Sequence, residues 1–289
     1  MYIYICVYIN RLKALLYTYT FLMLQKNVKI FDLLQSHSRF NRQSFPEIEQ
    51  HIEAVWSDRV AKEPWLFNGA KFRLHSAVLA DKSSKDEQSC VLTLQLGLTC
   101  YKDYLGTNWS REAGRLQSHG QNECADPQAF LAQPLGVGAV MATADGDVVL
   151  LRRSQKVAEA AGLLDIPGGH PEPKVRYTES YSLLPSSCFL SIFLLLQVNV
   201  PVSSLSKPVF MGIALNHTSA GRPSAEFYVR CTLTTEDVRD FYRHGGPEAH
   251  ESTEILFLSR AVSRAPLWSE MCPSAKGAVL LYQRVMPDC

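Results

Sequence analysis

The stretch Leu163 to Pro173, LLDIPGGHPEP, constrains this chain more than any other, because an apolar run ends at two glycines and is followed at once by His170 and Glu172. It reads as a strand that delivers polar side chains to a site. Gly168 and Gly169 are free to take positive φ and to let backbone come close to a ligand, which a residue with a Cβ does only at a cost. Alone, a Pro-Gly-Gly is most simply a turn. Its context says more: immediately upstream, GVGAVMATADGDVVLLRRS alternates small or apolar residues about Asp145 and Gly146 and closes on Arg152 and Arg153. That is the pattern of a β-hairpin with an Asp-Gly turn.

With 289 residues and 46% hydrophobic content, the chain can bury one large core or two modest ones. A formal net charge of +1, with both signs interspersed, gives no field for steering nucleic acid or anionic lipid. Neither is an expected partner, no protein partner is implied, and phosphate recognition has to be local. The eight cysteines (Cys6, Cys90, Cys100, Cys124, Cys188, Cys231, Cys272 and Cys289) form no C-x-x-C pair and indicate neither a zinc site nor a disulfide framework. They fit a reducing compartment, cytoplasmic and also nuclear.

Met1 to Leu24 is apolar enough to suggest a membrane segment. Arg11 and Lys13 split it into pieces of about ten residues, well short of the ~20 a bilayer needs, and no small-residue cleavage site follows. Residues 1–45 are rich in Tyr, Ile, Asn, Lys and Phe, whose codons are A/T-rich, and read as artefactual or disordered sequence; a membrane anchor is the rival reading. From there the chain becomes domain-like. FPEIEQHIEAVWSDRVAKEP has Ile48, Ile52, Val55, Trp56 and Val60 at helical spacing before Pro64. KFRLHSAVLA and SCVLTLQLGLTCY alternate as strands, and YKDYLGTNW reads as an aromatic loop. Further on, PVFMGIALNHT and SAEFYVRCTLT are predicted strands, TTEDVRDFYRH a helix capped by Thr234 or Thr235, ESTEILFLSR a strand, and CPSAKGAVLLYQRV a closing helix.

The wording of several motifs, LRRS, VAEA, LLDIPGGHPEP, PWLF, KFRLHSA, YLGTNW, TSAGRPSAEFYV, GGPEAHEST and CPSAKGA, resembles the animal Nudix-type pyrophosphatases of uridine diphosphate (UDP) glucose over roughly Ile52 to Val285. The resemblance implies an α/β (α+β) Nudix fold, a mixed sheet flanked by helices, with an N-terminal α+β extension over 46–131 and the hydrolase domain over 132–286, interrupted at 175–197. It implies hydrolysis of UDP-glucose and UDP-galactose to UMP and the sugar 1-phosphate, with Mg2+ as the cofactor. It places Phe67 and Tyr101 in the nucleotide pocket and gives Asp165, His170, Glu172 and the Ala158 backbone to the nucleotide-sugar. The residue types agree: carboxylate and imidazole accept hydrogen bonds from sugar hydroxyls, and Arg153 grips phosphate oxygens in a bidentate way that lysine cannot. Ser274 offers a hydroxyl beside the free amides of a helix start, where the bland alternative is a plain N-cap.

The chain also departs from the family. A Nudix box places clustered glutamates one turn apart on a helix to bind magnesium. Counted from Gly169, those places fall on Val175, Leu184, Ser187 and Cys188. The interval VRYTESYSLLPSSCFLSIFLLLQ holds Glu179 as its only acid. Lys174-Val175-Arg176 can be encoded as a splice donor and the Phe/Leu/Ser-rich end as a pyrimidine tract, so 175–197 reads as translated intron; a genuine insertion with a buried helix is the rival. The metal carboxylates are therefore not identifiable, Glu179 and Glu251 being weak candidates. The alternative function is a UDP-sugar-binding module that does not cut.

Overall fold

The computed structural model describes residues 19–23, 33–36, 38–84, 87–155, 157, 159–173, 197–245, 251–259 and 266–287. In chain order its elements are β1 (Tyr19–Met23), β2 (Leu33–Ser36), α1 (Pro46–Lys62), β3 (Ala70–Ser84), β4 (Glu87–Cys100), α2 (Tyr101–Gly106), α3 (Ala113–Cys124), β5 (Gly136–Ala142) and β6 (Val148–Arg153). There follow β7 (Leu164–Asp165), β8 (Gly168–Gly169), β9 (Val209–Asn216), β10 (Arg222–Arg230), α4 (Thr235–Arg243), β11 (Ser252–Leu258) and α5 (Pro273–Val285).

Strand alternation sorts the core into two layers. On β5, Val137, Ala139 and Met141 point to one face while Val140 and Ala142 point to the other, the period of two that a pleated strand imposes. The first face packs on Leu92, Leu94 and Leu96 of β4 and on Val238 of α4; the second packs on Ala275, Ala278, Val279 and Tyr282 of α5. The result is a mixed sheet between a three-stranded sheet and a helix. Its strands run β1-β9-β10-β5-β6-β11, with β7 on β6 and β8 on β5; the smaller sheet runs β2-β4-β3. The pairing of β5 with β10 is parallel, and the others in the main sheet are antiparallel.

The expected hairpin is present as β5 and β6, joined through Asp145 and Gly146, whose φ is 94°. The first expected helix is α1: Pro46 opens it, Glu47 and Glu49 lie in its first turn, Arg59 and Lys62 lie in its last, and Ile48 and Ile52 are buried. Thr234 caps α4 in a capping box with Asp237.

Three expectations change. YKDYLGTNW is not a loop throughout, since Tyr101–Gly106 form α2, with Tyr104 and Leu105 turned inward. Gly168 and Gly169 do not have positive φ. What Gly168 provides is room for a neighbouring strand: it pairs with Gly138, and a Cβ on it would stand 2.4 Å from the Val137 carbonyl oxygen. Two pieces of the region set apart as 1–45 are strands, with Tyr19–Met23 running antiparallel to β9 and Leu33–Ser36 parallel to β4. Among the described residues no helix is long and apolar enough to cross a membrane. Most of the interval 175–197 lies outside the described residues, as do Ala158 and Glu179.

Candidate active site

Where β5, β6, β7, β8 and β10 converge, they enclose a cavity of about 600 Å³ with the start of α5 and the Lys71 end of β3. Tyr101, Arg153, Asp165, His170, Glu172 and Ser274 all line it. Phe67 does not: it lies on the loop before β3, 77% exposed.

The last two residues of β6 take opposite duties because consecutive side chains point to opposite faces. Arg152 turns outward to Glu254 and Glu270, at 3.0 and 3.1 Å. Arg153 turns inward: Nη1 donates to Asp165 Oδ2 at 2.9 Å and Nε to the Glu159 carbonyl at 3.1 Å. Burial pulls its guanidinium pKa down, but the neighbouring Asp165 and Glu159 more than offset this and it stays charged. Asp165 is fixed in turn by the amide of Ile166, at 2.9 Å, and by the Ser274 hydroxyl at a long 3.5 Å. Ser274 is not the N-cap of its helix; Cys272 holds that place and Pro273 opens the helix, so the hydroxyl is inside the first turn and facing the cavity.

His170 accepts at Nε2 from Arg222 Nη1 at 2.9 Å. A guanidinium can only donate, so the ring proton belongs on Nδ1. Burial, then the positive charges of Arg222, Lys71 and Arg153, hold its pKa well below the ordinary histidine value, so it is a neutral imidazole. Arg222 lies against Glu159 at 3.5 Å and over the Tyr104 ring at 5.8 Å. Lys71 pairs with Glu172 across the mouth. Gln197 clamps the glycine turn, accepting from the Gly168 amide at 2.9 Å and donating to its carbonyl at 2.7 Å, while its amide also reaches Glu251 at 3.3 Å. The buried hydroxyl of Tyr101 has no hydrogen-bond partner, that of Tyr104 lies beside Ser219 and Glu159 and the Glu226 carboxyl beside Ser224 without a well-formed bond, and all three residues line the cavity.

Lys71, Glu159, Arg222 and Glu226 were not singled out from the sequence. Each sits in a stretch that reads as strand, helix or connection, and what brings it to the cavity is cross-strand register. One kind of signal was available: Lys71 lies in KFRLHSA, Glu159 in VAEA, and Arg222 and Glu226 in TSAGRPSAEFYV, motifs that carry the family resemblance.

Three cations thus face the cavity, each held by a carboxylate. The divalent ion implied by the resemblance is not matched by the same groups. Among the described residues no three His, Cys, Asp or Glu side chains converge as a metal would need. Asp165, Glu159 and Glu172 are engaged by Arg153, Arg222 and Lys71. Of the two metal candidates read from the sequence, Glu179 lies outside the described residues and Glu251 lines the cavity, and a single carboxylate does not make the set.

No family model matches the sequence. Known relatives do. The uridine diphosphate glucose pyrophosphatase NUDT22 of Homo sapiens is 49% identical over 259 residues, which cover 85% of this chain and 84% of that protein. The protein of the same name from Bos taurus is 50% identical over 85% of this chain and 89% of its own length. Nudix hydrolase 9 of Arabidopsis thaliana is 32% identical over 79% and 77%. Identity at that level across most of both chains leaves one conclusion: the chain belongs to the Nudix hydrolases, in the family of the uridine diphosphate glucose pyrophosphatases.

Proposed function

We propose that this chain hydrolyses the pyrophosphate bond of UDP-glucose and UDP-galactose, giving UMP and the sugar 1-phosphate, with magnesium as its ion and in a reducing, cytoplasmic or nuclear, compartment. The observation that carries the reading is the gathering of Arg153, Arg222 and Lys71 with Asp165, Glu172 and neutral His170 in one 600 Å³ cavity of a chain from this family. That volume suits a nucleotide-sugar. The substrate presents a diphosphate, which needs fixed donors, and a hexose, which needs a mixture of acceptors and donors.

In the reaction, water adds to one phosphorus and the bridging P–O bond breaks, so the barrier lies in the charge gathered on the phosphate oxygens. Arg153 answers this with a planar fork already held in place by Asp165 and the Glu159 carbonyl, so little reorganisation is required when phosphate arrives. His170, uncharged and with Nε2 committed to Arg222, offers the sugar its Nδ1 proton. A divalent ion would supply positive charge against the phosphates. The described residues do not supply its ligands, and their own share is binding and orientation. The module that binds without cutting is not favoured, since the human and bovine relatives are named as pyrophosphatases.

The test is product analysis. Purified chain incubated with UDP-glucose and Mg2+ is expected to yield UMP and glucose 1-phosphate in equal amounts, and none after chelation. Binding of UDP-glucose without release of UMP overturns the hydrolase reading in favour of the module.

A further inference from the structure

Glu226 is 0% exposed, neither of its carboxyl oxygens makes a well-formed hydrogen bond although the Ser224 hydroxyl lies near enough to favour its charged form, and the residue nevertheless lines the cavity. The fold makes space for it. In the main sheet Glu226 stands beside Gly138 on β5 and Gly212 on β9, so a glycine lies on either hand. A Cβ on Gly138 would fall 2.4 Å from Glu226 Oε2 and 2.7 Å from the Ile166 side chain. No guanidinium or ammonium bonds this carboxyl. Charge buried in that way is among the costliest things a fold can hold, whereas an uncharged carboxyl is a modest burden.

We propose that Glu226 is a further ligand-binding residue of the cavity, an uncharged carboxyl whose O–H and C=O bracket a hydroxyl of the sugar. A hydroxyl both donates and accepts, and so does a neutral acid; phosphate oxygens only accept. The charge setting agrees. Burial pushes the Glu226 pKa up to about 8, with nearby Asp165 adding to the rise, while Ser224 and Arg222 pull the other way less strongly. Its strand neighbours Gly138 and Gly212 bring no charge. The assignment rests on the UDP-sugar reading above and deepens it, because it separates the sugar subsite from the phosphate grip of Arg153.

Titration of the full chain with UDP-glucose and, separately, with UMP, both in chelator so that nothing turns over, tests it. Glu226→Ala is expected to weaken UDP-glucose tenfold or more and to leave UMP unchanged, while Glu226→Gln, which keeps a donor and an acceptor without charge, stays within about threefold of wild type. In wild type, UDP-glucose affinity is expected to fall between pH 7 and 9; in Glu226→Gln it is flat. The pH series decides the matter if Glu226→Ala does not fold. A Glu226→Gln variant as weak as Glu226→Ala means that a charged carboxylate is needed, as for an ion, and overturns the proposal. Equal loss of UMP overturns the sugar assignment, and unchanged UDP-glucose affinity in Glu226→Ala overturns the contact altogether. Failure of the wild-type chain to bind UDP-glucose overturns the functional reading, and this one with it.

Discussion

Among the described residues, Arg73 and Glu226 are the most deeply buried of the charged type, and they are treated in opposite ways. Arg73, 1% exposed in β3, spends its guanidinium on backbone: Nε on the Leu131 carbonyl at 3.1 Å, Nη1 on that of Phe40 at 2.9 Å and Nη2 on that of Gln128 at 2.7 Å. Glu226, equally buried in β10, has the Ser224 hydroxyl near its carboxyl but no well-formed hydrogen bond to either oxygen. The first region is a joint: Arg73 ties β3 to the segment that leads out of α3 toward β5. The second is a site. The Arg73 guanidinium is consumed by the fold; of the buried side-chain atoms left without a well-formed bond, Arg42 Nε, His51 Nε2 and Arg59 Nε lie away from the cavity, while the Tyr101 and Tyr104 hydroxyls and the Glu226 carboxyl belong to residues that line it.

The comparison breaks most readily at Arg73. Burial drops its pKa to about 10, which still leaves it charged at neutral pH. Arg73→Met removes the donors of three carbonyls and is expected to cost about 3–5 kcal/mol in a denaturant melt, or to prevent folding. A loss under 1 kcal/mol would mean that the joint is ornamental. Glu226→Gln is expected to act in the other direction. The folded pKa of this acid is raised from 4.5 to about 8, so the fold binds its proton more tightly than the unfolded chain does. The stability this lends is fully present below pH 4.5 and drains away as pH climbs toward 8. Glu226→Gln should therefore gain on wild type across that window, by a few kcal/mol at its upper end, and hold a constant lead beyond it. A difference independent of pH from 5 to 8 would show that the carboxyl is not buried uncharged.

How much of this was open to a reader of the sequence follows the range of the signals. Local ones carried: the Asp145-Gly146 turn, the Thr234 cap, the apolar spacing of Ile48 and Ile52, and the final helix all appear where expected. Weak local ones failed. Of α3 only Leu116 and Gly120 are buried, so no 3.6-residue stripe announced it. The aromatics of YKDYLGTNW resembled a loop, although Tyr101 and Tyr104 are one helical turn apart. Within the site, six of the sequence-stated residues come together because they follow motifs in order along the chain, and the structure leaves Phe67 outside the cavity lining. Glu226 and Lys71 lie in motifs of the family resemblance, TSAGRPSAEFYV and KFRLHSA, but nothing local set them apart as site residues. In an alternating strand a polar residue normally faces solvent, and only the cross-strand glycines 138 and 212, from distant stretches, reveal that this one does not.

The central claim is that the open polar groups of this cavity form a nucleotide-sugar site gripped by Arg153. Melting the wild-type chain and Arg153→Ala with and without UDP-glucose in chelator tests it most directly, because a ligand that binds only the folded state raises the melting temperature. The account predicts a clear rise for wild type and, with affinity reduced on the order of 10–100-fold, little or none for Arg153→Ala at the same concentration. An equal rise in both proteins, or none in wild type, would contradict it.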